Sequence, residues 1–222
     1  MRHNEQELEQ LKDELNQMWK LVTSQLERSK HAFLKNDIEV ALEVSSAEKR
    51  VNAFELKVES SCENYIALYN PVAIDLRLIL SIMKISITLE RIGDYAEGIA
   101  RHVIDGDCGH FDKTIVESLE MEKMFDILIN MMADSYVALN AESSKSFGKI
   151  LAKDKGVNEI YHSSIPKIEE FLTKNPKEIR CGLKLMLLIR KMERVGDHCK
   201  NIVEEIVFYV DAKVLKHKGK VK

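Results

Sequence analysis

Apolar residues recur every three or four positions along nearly the whole chain, and the lapses in that rhythm divide it into six long helices. The first is predicted from about Glu5 to Leu34, with Leu8, Leu11, Leu15, Met18, Trp19, Val22, Leu26 and Phe33 on one face. Lys35-Asn36-Asp37 breaks it, and Asp37 is a good N-cap for a second helix from Ile38 to Tyr69. Asn70-Pro71 ends the second and opens the third, since proline suits a first turn; the third runs to about Ile104. Between Leu76 and Leu89 it is apolar on nearly all sides, which predicts deep burial. Asp105-Gly106-Asp107-Cys108-Gly109 reads as a linker. The pattern then repeats: a fourth helix from Asp112 to about Ser144, a fifth from Phe147 to about Lys174 with a kink expected at Pro166, Asn175-Pro176 mirroring Asn70-Pro71, and a sixth to about Asp211.

Three long amphipathic helices per half can bury their stripes only against one another. The expected fold is all-α: two tandem antiparallel three-helix bundles from an internal duplication, spanning residues 1–107 and 108–212, with a basic, frayed tail at 213–222.

Composition changes this picture little. The net charge of −3 does not mark a nucleic-acid binder, and the apolar stretch Leu76–Leu89 is too short to span a bilayer. The polar N-terminus does not resemble a signal peptide, so the expected location is the cytoplasm. Cys62, Cys108, Cys181 and Cys199 form no Cys-x-x-Cys pair and read as buried thiols in a reducing compartment.

The chemistry lies in a second repeat. Glu90-Arg91-Ile92-Gly93-Asp94 returns 103 positions later as Glu193-Arg194-Val195-Gly196-Asp197. Each copy stacks two carboxylates one helical turn apart, and each places a glycine where a helix interior loses about 1 kcal/mol. A solvated face gains nothing from that glycine, whereas close helix approach does. Partners occur one position off the apolar stripes of the second and fifth helices: Glu48 with Asn52, and Asp154 with Asn158; Glu55 and Glu59 extend the first row. The candidate ligands are therefore Glu48, Asn52, Glu90 and Asp94 in one half, and Asp154, Asn158, Glu193 and Asp197 in the other. Packed carboxylates require a counter-charge, and an oxygen donor set selects Mg, Mn, Ca or iron over zinc. His102 and His198 stand near as occasional extra ligands. Arg91 and Arg194 are expected to pair with other acids or cover the bundle edge. The lone Glu159-x-x-His162 is half of a di-iron motif and reads as incidental. No phosphate loop or nucleophile–base set is present, so no enzyme is expected.

With Asn70-Pro71 followed by Asp75-Leu76-Arg77, Leu89–Asp94, and Met192–His198 followed by Asn201-Ile202, the chain resembles the PhoU family of phosphate-signalling proteins over nearly its whole length. The resemblance implies a cytoplasmic, non-enzymatic and often dimeric regulator. Such a protein restrains phosphate uptake and the starvation response through a phosphate ABC transporter and a sensor histidine kinase. It also implies multinuclear metal (Fe, Mn, Mg or Zn) on the acidic motifs, here Glu48, Glu90 and Asp94, and Asp154, Glu193 and Asp197. Asn52 and Asn158 depart from the all-acid pattern, so each cluster is expected to hold fewer ions. Two other readings stay open: a metal-free helical scaffold that binds a basic partner, and a carboxylate-bridged metalloenzyme.

Overall fold

A computed structural model describes residues 3–109 and 111–215. Among them are seven α-helices and no strand: α1 (His3–Lys35), α2 (Ile38–Tyr69), α3 (Ala73–Asp105), α4 (Lys113–Ser118), α5 (Met121–Asn140), α6 (Phe147–Lys174) and α7 (Ile179–Asp211), with a 3₁₀ turn at Pro176–Glu178. The expected tail lies outside the described residues from position 216 onward.

Local chemistry explains most boundaries. The Asp37 carboxylate accepts from the Val40 amide at 3.1 Å and starts α2; Asn70, at φ 46°, ends it in the left-handed conformation. Pro71 stands two residues before α3, whereas Pro176 opens the 3₁₀ turn before α7, so the two junctions differ in detail. The single fourth helix expected from the sequence is broken: Glu120 takes φ 52°, separating α4 from α5, and α5 ends at Asn140. No glycine or proline announces that break. The buried residues do, because Leu119 and Met121 are two apart and cannot share one helical face. Helix α6 runs on through Pro166.

Helices α1, α2 and α3 pack on one another, as do α5, α6 and α7. The halves join where α3 meets α7 and α1 meets α5, giving a layer in the order α2–α3–α7–α6 backed by α1 and α5. Trp19 and Tyr136, with ring centroids 5.7 Å apart, and Phe33 with Phe125 weld the second layer. Helices α3 and α7 run antiparallel. The Ser81 hydroxyl donates to the Glu205 carbonyl (3.2 Å), Arg77 Nε donates to the Tyr209 carbonyl (3.2 Å), and the Tyr95 ring stacks on His198 with centroids 5.6 Å apart. Tyr95 and His198 occupy equivalent positions of the two motifs, so the repeat is read as a local two-fold relation that brings both signatures to the same level.

One expectation fails. Cys108 and Cys181 are not separate thiols; they are paired as a disulfide, with Cα atoms 5.5 Å apart, tying the linker to the first turn of α7. Their separation of 73 residues hid the pairing, because only folding brings linker and α7 together. Cys62 and Cys199 are buried free thiols as expected.

Candidate metal centre

Helices α2 and α3 bring Glu48, Glu90 and Asp94 together, each offering a carboxylate oxygen within 4.8 Å of the others. Gly93 makes the approach possible. A Cβ there would stand 3.0 Å from Gln25 Oε1, 3.3 Å from Val51 and 3.4 Å from Glu48 Oε2, so a side chain would press the neighbouring helices apart. The motif's glycine is thus explained by close helix packing, as its cost implied.

The trio is electrostatically uncomfortable. Burial, then the neighbouring Asp94 charge, push the Glu48 carboxyl up to about 7, against a lowering hydrogen bond from Gln25. Burial, then Asp94 and Glu55, push Glu90 to about 7 as well. Glu55 itself is raised by burial and by Glu59 and Asp94. Glu48 Oε1 is buried without a hydrogen-bond partner, a costly state that a cation bound among these oxygens would relieve. The donor set fits a hard cation: three carboxylates, with Glu55 beside them and no cysteine in the group. Asn52, one turn beyond Glu48 on α2, is exposed. Glu97, three residues past Asp94 on α3, accepts from Ser45 (3.0 Å) and from Arg101 Nε (2.9 Å).

In the second half Asp154 on α6 and Glu193 on α7 are buried at 7% and 8% exposure, and burial raises both carboxyls. Gly196 repeats the packing role: a Cβ would lie 3.2 Å from Val157 and 3.4 Å from Asp154 Oδ1. Asp154, Glu193 and Asp197 influence one another's charge but do not converge as the first trio does. Arginines intervene. Arg190 Nη1 lies 3.0 Å from Glu193 Oε2, at ion-pair distance though not in hydrogen-bond geometry, and Arg194 Nη1 donates to Asp197 Oδ2 at 3.1 Å. Asp154 Oδ1 remains buried and unpartnered. Asn158 is half-buried one turn beyond it.

The histidines are placed apart. His102 stacks on Phe111, with centroids 4.9 Å apart; His198 is buried against Tyr95, and its Nε2 has no hydrogen-bond partner. Two residues escaped the sequence reading. Gln25 on α1 donates to Glu48 Oε2 at 3.2 Å and to the Val44 carbonyl at 3.3 Å. A polar residue three positions after Val22 and next to Leu26, at the edge of the helix's apolar stripe, was its only signal. Arg190 was the other; its place three residues before Glu193 on one helix was the available clue.

Comparison with known proteins adds independent support for the fold. The PhoU domain model matches residues 15–103 and again 121–206. The phosphate-specific transport system accessory protein PhoU homolog of Pseudomonas aeruginosa is 29% identical over 96% of this chain and 87% of its own length. The Aquifex aeolicus homolog is 30% identical, covering 95% and 94%, and Escherichia coli PhoU is 27% identical, covering 96% and 87%. The crystal structure of PhoU from Pseudomonas aeruginosa superimposes with TM-score 0.88 at 28% identity, over 94% of this chain and 99% of that one. That of the phosphate transport system regulatory protein PhoU from Streptococcus pneumoniae gives 0.86 at 26%, over 96% and 100%. With the domain matched twice across most of its length, the chain belongs to the PhoU family.

Proposed function

We propose that this protein is a non-enzymatic accessory regulator of phosphate transport that carries metal on its acidic seams. The relatives named as phosphate transport accessory proteins support the process. The observation that carries the metal reading is the meeting of Glu48, Glu90 and Asp94 from two helices, with one oxygen orphaned. In this reading Glu48, Glu90 and Asp94 hold Fe, Mn, Mg or Zn in the first half, and Asp154, Glu193 and Asp197 hold a second, weaker load. The ion supplies counter-charge that stiffens each seam and presents a positive centre to an anionic group. The regulation is negative, restraining uptake and the starvation response through a phosphate ABC transporter and a sensor histidine kinase, from the cytoplasm and as a homodimer. Among the described residues no helix is long and apolar enough to cross a membrane, so membrane contact is assigned to partners.

The test pairs two measurements. Metal analysis of purified protein finds bound ion that is lost in Glu90→Ala/Glu193→Ala. A deletion strain grown with ample phosphate shows raised phosphate uptake and starvation-gene expression, reversed by the wild-type chain. Metal-free protein indifferent to chelator would favour a plain scaffold, and unchanged uptake with unchanged expression would contradict the regulatory role.

A further inference from the structure

The fold treats its four cysteines in two ways. Cys62 and Cys199 are wholly buried free thiols, and burial pushes both up, that of Cys62 to about 12. Neither is placed to react in the folded chain. Cys108 and Cys181 are bridged, half-buried, and both line a 430 Å³ cleft whose walls include Phe111, Ile115, Phe171 and Leu185. A bridge beside an open cleft lies within reach of thiols in solution, unlike one sealed in a core.

The surroundings make the two sulfurs unequal. Cys181 is the third residue of α7, at the positive end of the helix dipole, with Arg180 and Lys184 on the same turn. Cys108 stands three residues past the negative end of α3, with Asp105 and Asp107 in the same linker. Not every charge favours Cys181. Asp107 accepts from Arg180 at 2.8 Å and from Lys184, and Glu178 also lines the cleft. Those four side chains balance, so the opposed helix ends and Asp105 decide, and Cys181 better carries a negative charge. Access favours the other sulfur. Cys108 sits in a turn that the Gly109 amide closes on the Gly106 carbonyl at 2.9 Å, and a Cβ on Gly109 would meet nothing within 4 Å.

We propose that Cys108–Cys181 is a reversible thiol–disulfide exchange site, opened in the folded protein by a low-molecular-weight thiol. The incoming thiolate attacks Cys108 Sγ and forms a new S–S bond there; the bridge breaks and its electron pair leaves on Cys181. A second thiolate attacks the small molecule's sulfur in that adduct and releases Cys108. Two small thiols become one small disulfide, and two electrons and two protons pass to the bridge. The small disulfide drives the same steps in reverse. With Cys62 and Cys199 locked in the core, Cys108 and Cys181 re-form only their own pair.

Opening the bridge acts on the linker rather than on α7. The first turn of α7 stays seated on α6, because Leu172 fills the space over Gly182, where a Cβ would lie 2.5 Å from its Cδ2. The turn at 106–109 loses its covalent hold and keeps only the surface pairs of Asp107 with Arg180 and Lys184, which contribute little. The redox state of the bridge therefore sets the order of the junction between the two halves. This inference stands apart from the metal and phosphate reading.

The test treats the full-length, oxidised protein with millimolar reduced glutathione, quenches in acid, and maps each cysteine by alkylation and mass spectrometry. The expected rate is proportional to glutathione and unchanged by sub-denaturing urea, since no unfolding is needed. A transient glutathione adduct is expected on Cys108 with Cys181 free, and oxidised glutathione should restore the bridge. Hydrogen exchange of the reduced form should quicken at least about 10-fold at residues 106–109 and stay unchanged at residues 183–192. Cys181→Ser should show the same local change with no thiol added. Reduction only where urea unfolds the chain, an adduct on Cys181, alkylation of Cys62 or Cys199 in the folded protein, or equal exchange in both redox forms would overturn the proposal.

Discussion

The two halves carry three carboxylates each on equivalent helices, with Glu48 in the first answered by the shorter Asp154 in the second, yet only the first draws its three within 4.8 Å. The difference is where counter-charge comes from. In the second half Arg190 and Arg194 stand 3.0 and 3.1 Å from Glu193 and Asp197, so the protein partly neutralises its own cluster. In the first half the residue in Arg190's place is Ile87, and Arg91, the counterpart of Arg194, is exposed and in no ion pair. The position over the motif glycine differs too. Gln25 faces Gly93 and hydrogen-bonds Glu48, whereas Leu128 faces Gly196 and leaves Asp154 Oδ1 unsatisfied. A duplicated motif therefore need not be a duplicated site. The first seam is short of positive charge and geometrically ready for a cation; the second is half-supplied by arginine.

The largest expected effect follows from removing a convergent ligand. Glu48→Ala should lower affinity at the first centre by at least about 100-fold, since even loss of groups behind the ligands typically costs 10- to 100-fold. Asp154→Ala should cost less, which isothermal titration with Mn(II) can compare. Equal losses would erase the distinction between the halves.

Acidity comes next. Glu48 and Glu90 titrate near 7 in the folded chain, above the usual carboxylate value of 4.5. The metal-free native state therefore holds protons that the unfolded chain has released. Their contribution to stability falls as pH rises from about 4.5 to about 7 and is flat above. A cation must displace those protons, so first-site affinity should drop roughly tenfold per pH unit for each displaced proton below 7. Titrations at pH 8 and pH 6 check this; a pH-independent affinity would count against the trio as ligands.

An exchange of arginine sharpens the contrast further. Ile87→Arg should weaken the first centre, and Arg190→Ile should strengthen the second, each by about tenfold as one local charge is gained or lost. Gln25→Leu, which copies Leu128 into the first half, should have the smallest effect on metal affinity. It removes one amide hydrogen bond from Glu48, at about 1–3 kcal/mol of stability by thermal melting, and leaves the ligand trio in place.

Much of this was legible in the sequence because it is local. Helix period, the Asp37 cap and the stacked Glu90/Asp94 and Glu193/Asp197 pairs depend only on spacing along one helix, and the glycines flagged their own cost. The break at Glu120 was hidden because no residue there favours the left-handed conformation on its own; core packing imposes it. The Cys108–Cys181 pair, the reach of Gln25 from α1 and the separation of His102 from the acids all depend on which helices meet, and spacing carries no such information. The unequal convergence was the subtlest feature, set by Arg190 and Ile87 one turn outside the motifs.

Anomalous diffraction from crystals grown with Mn(II) tests the central claim most directly. A peak is expected among the carboxylates of Glu48, Glu90 and Asp94, stronger than any beside Asp154, Glu193 and Asp197. An empty first seam, or stronger density at the arginine-flanked second one, would contradict the account.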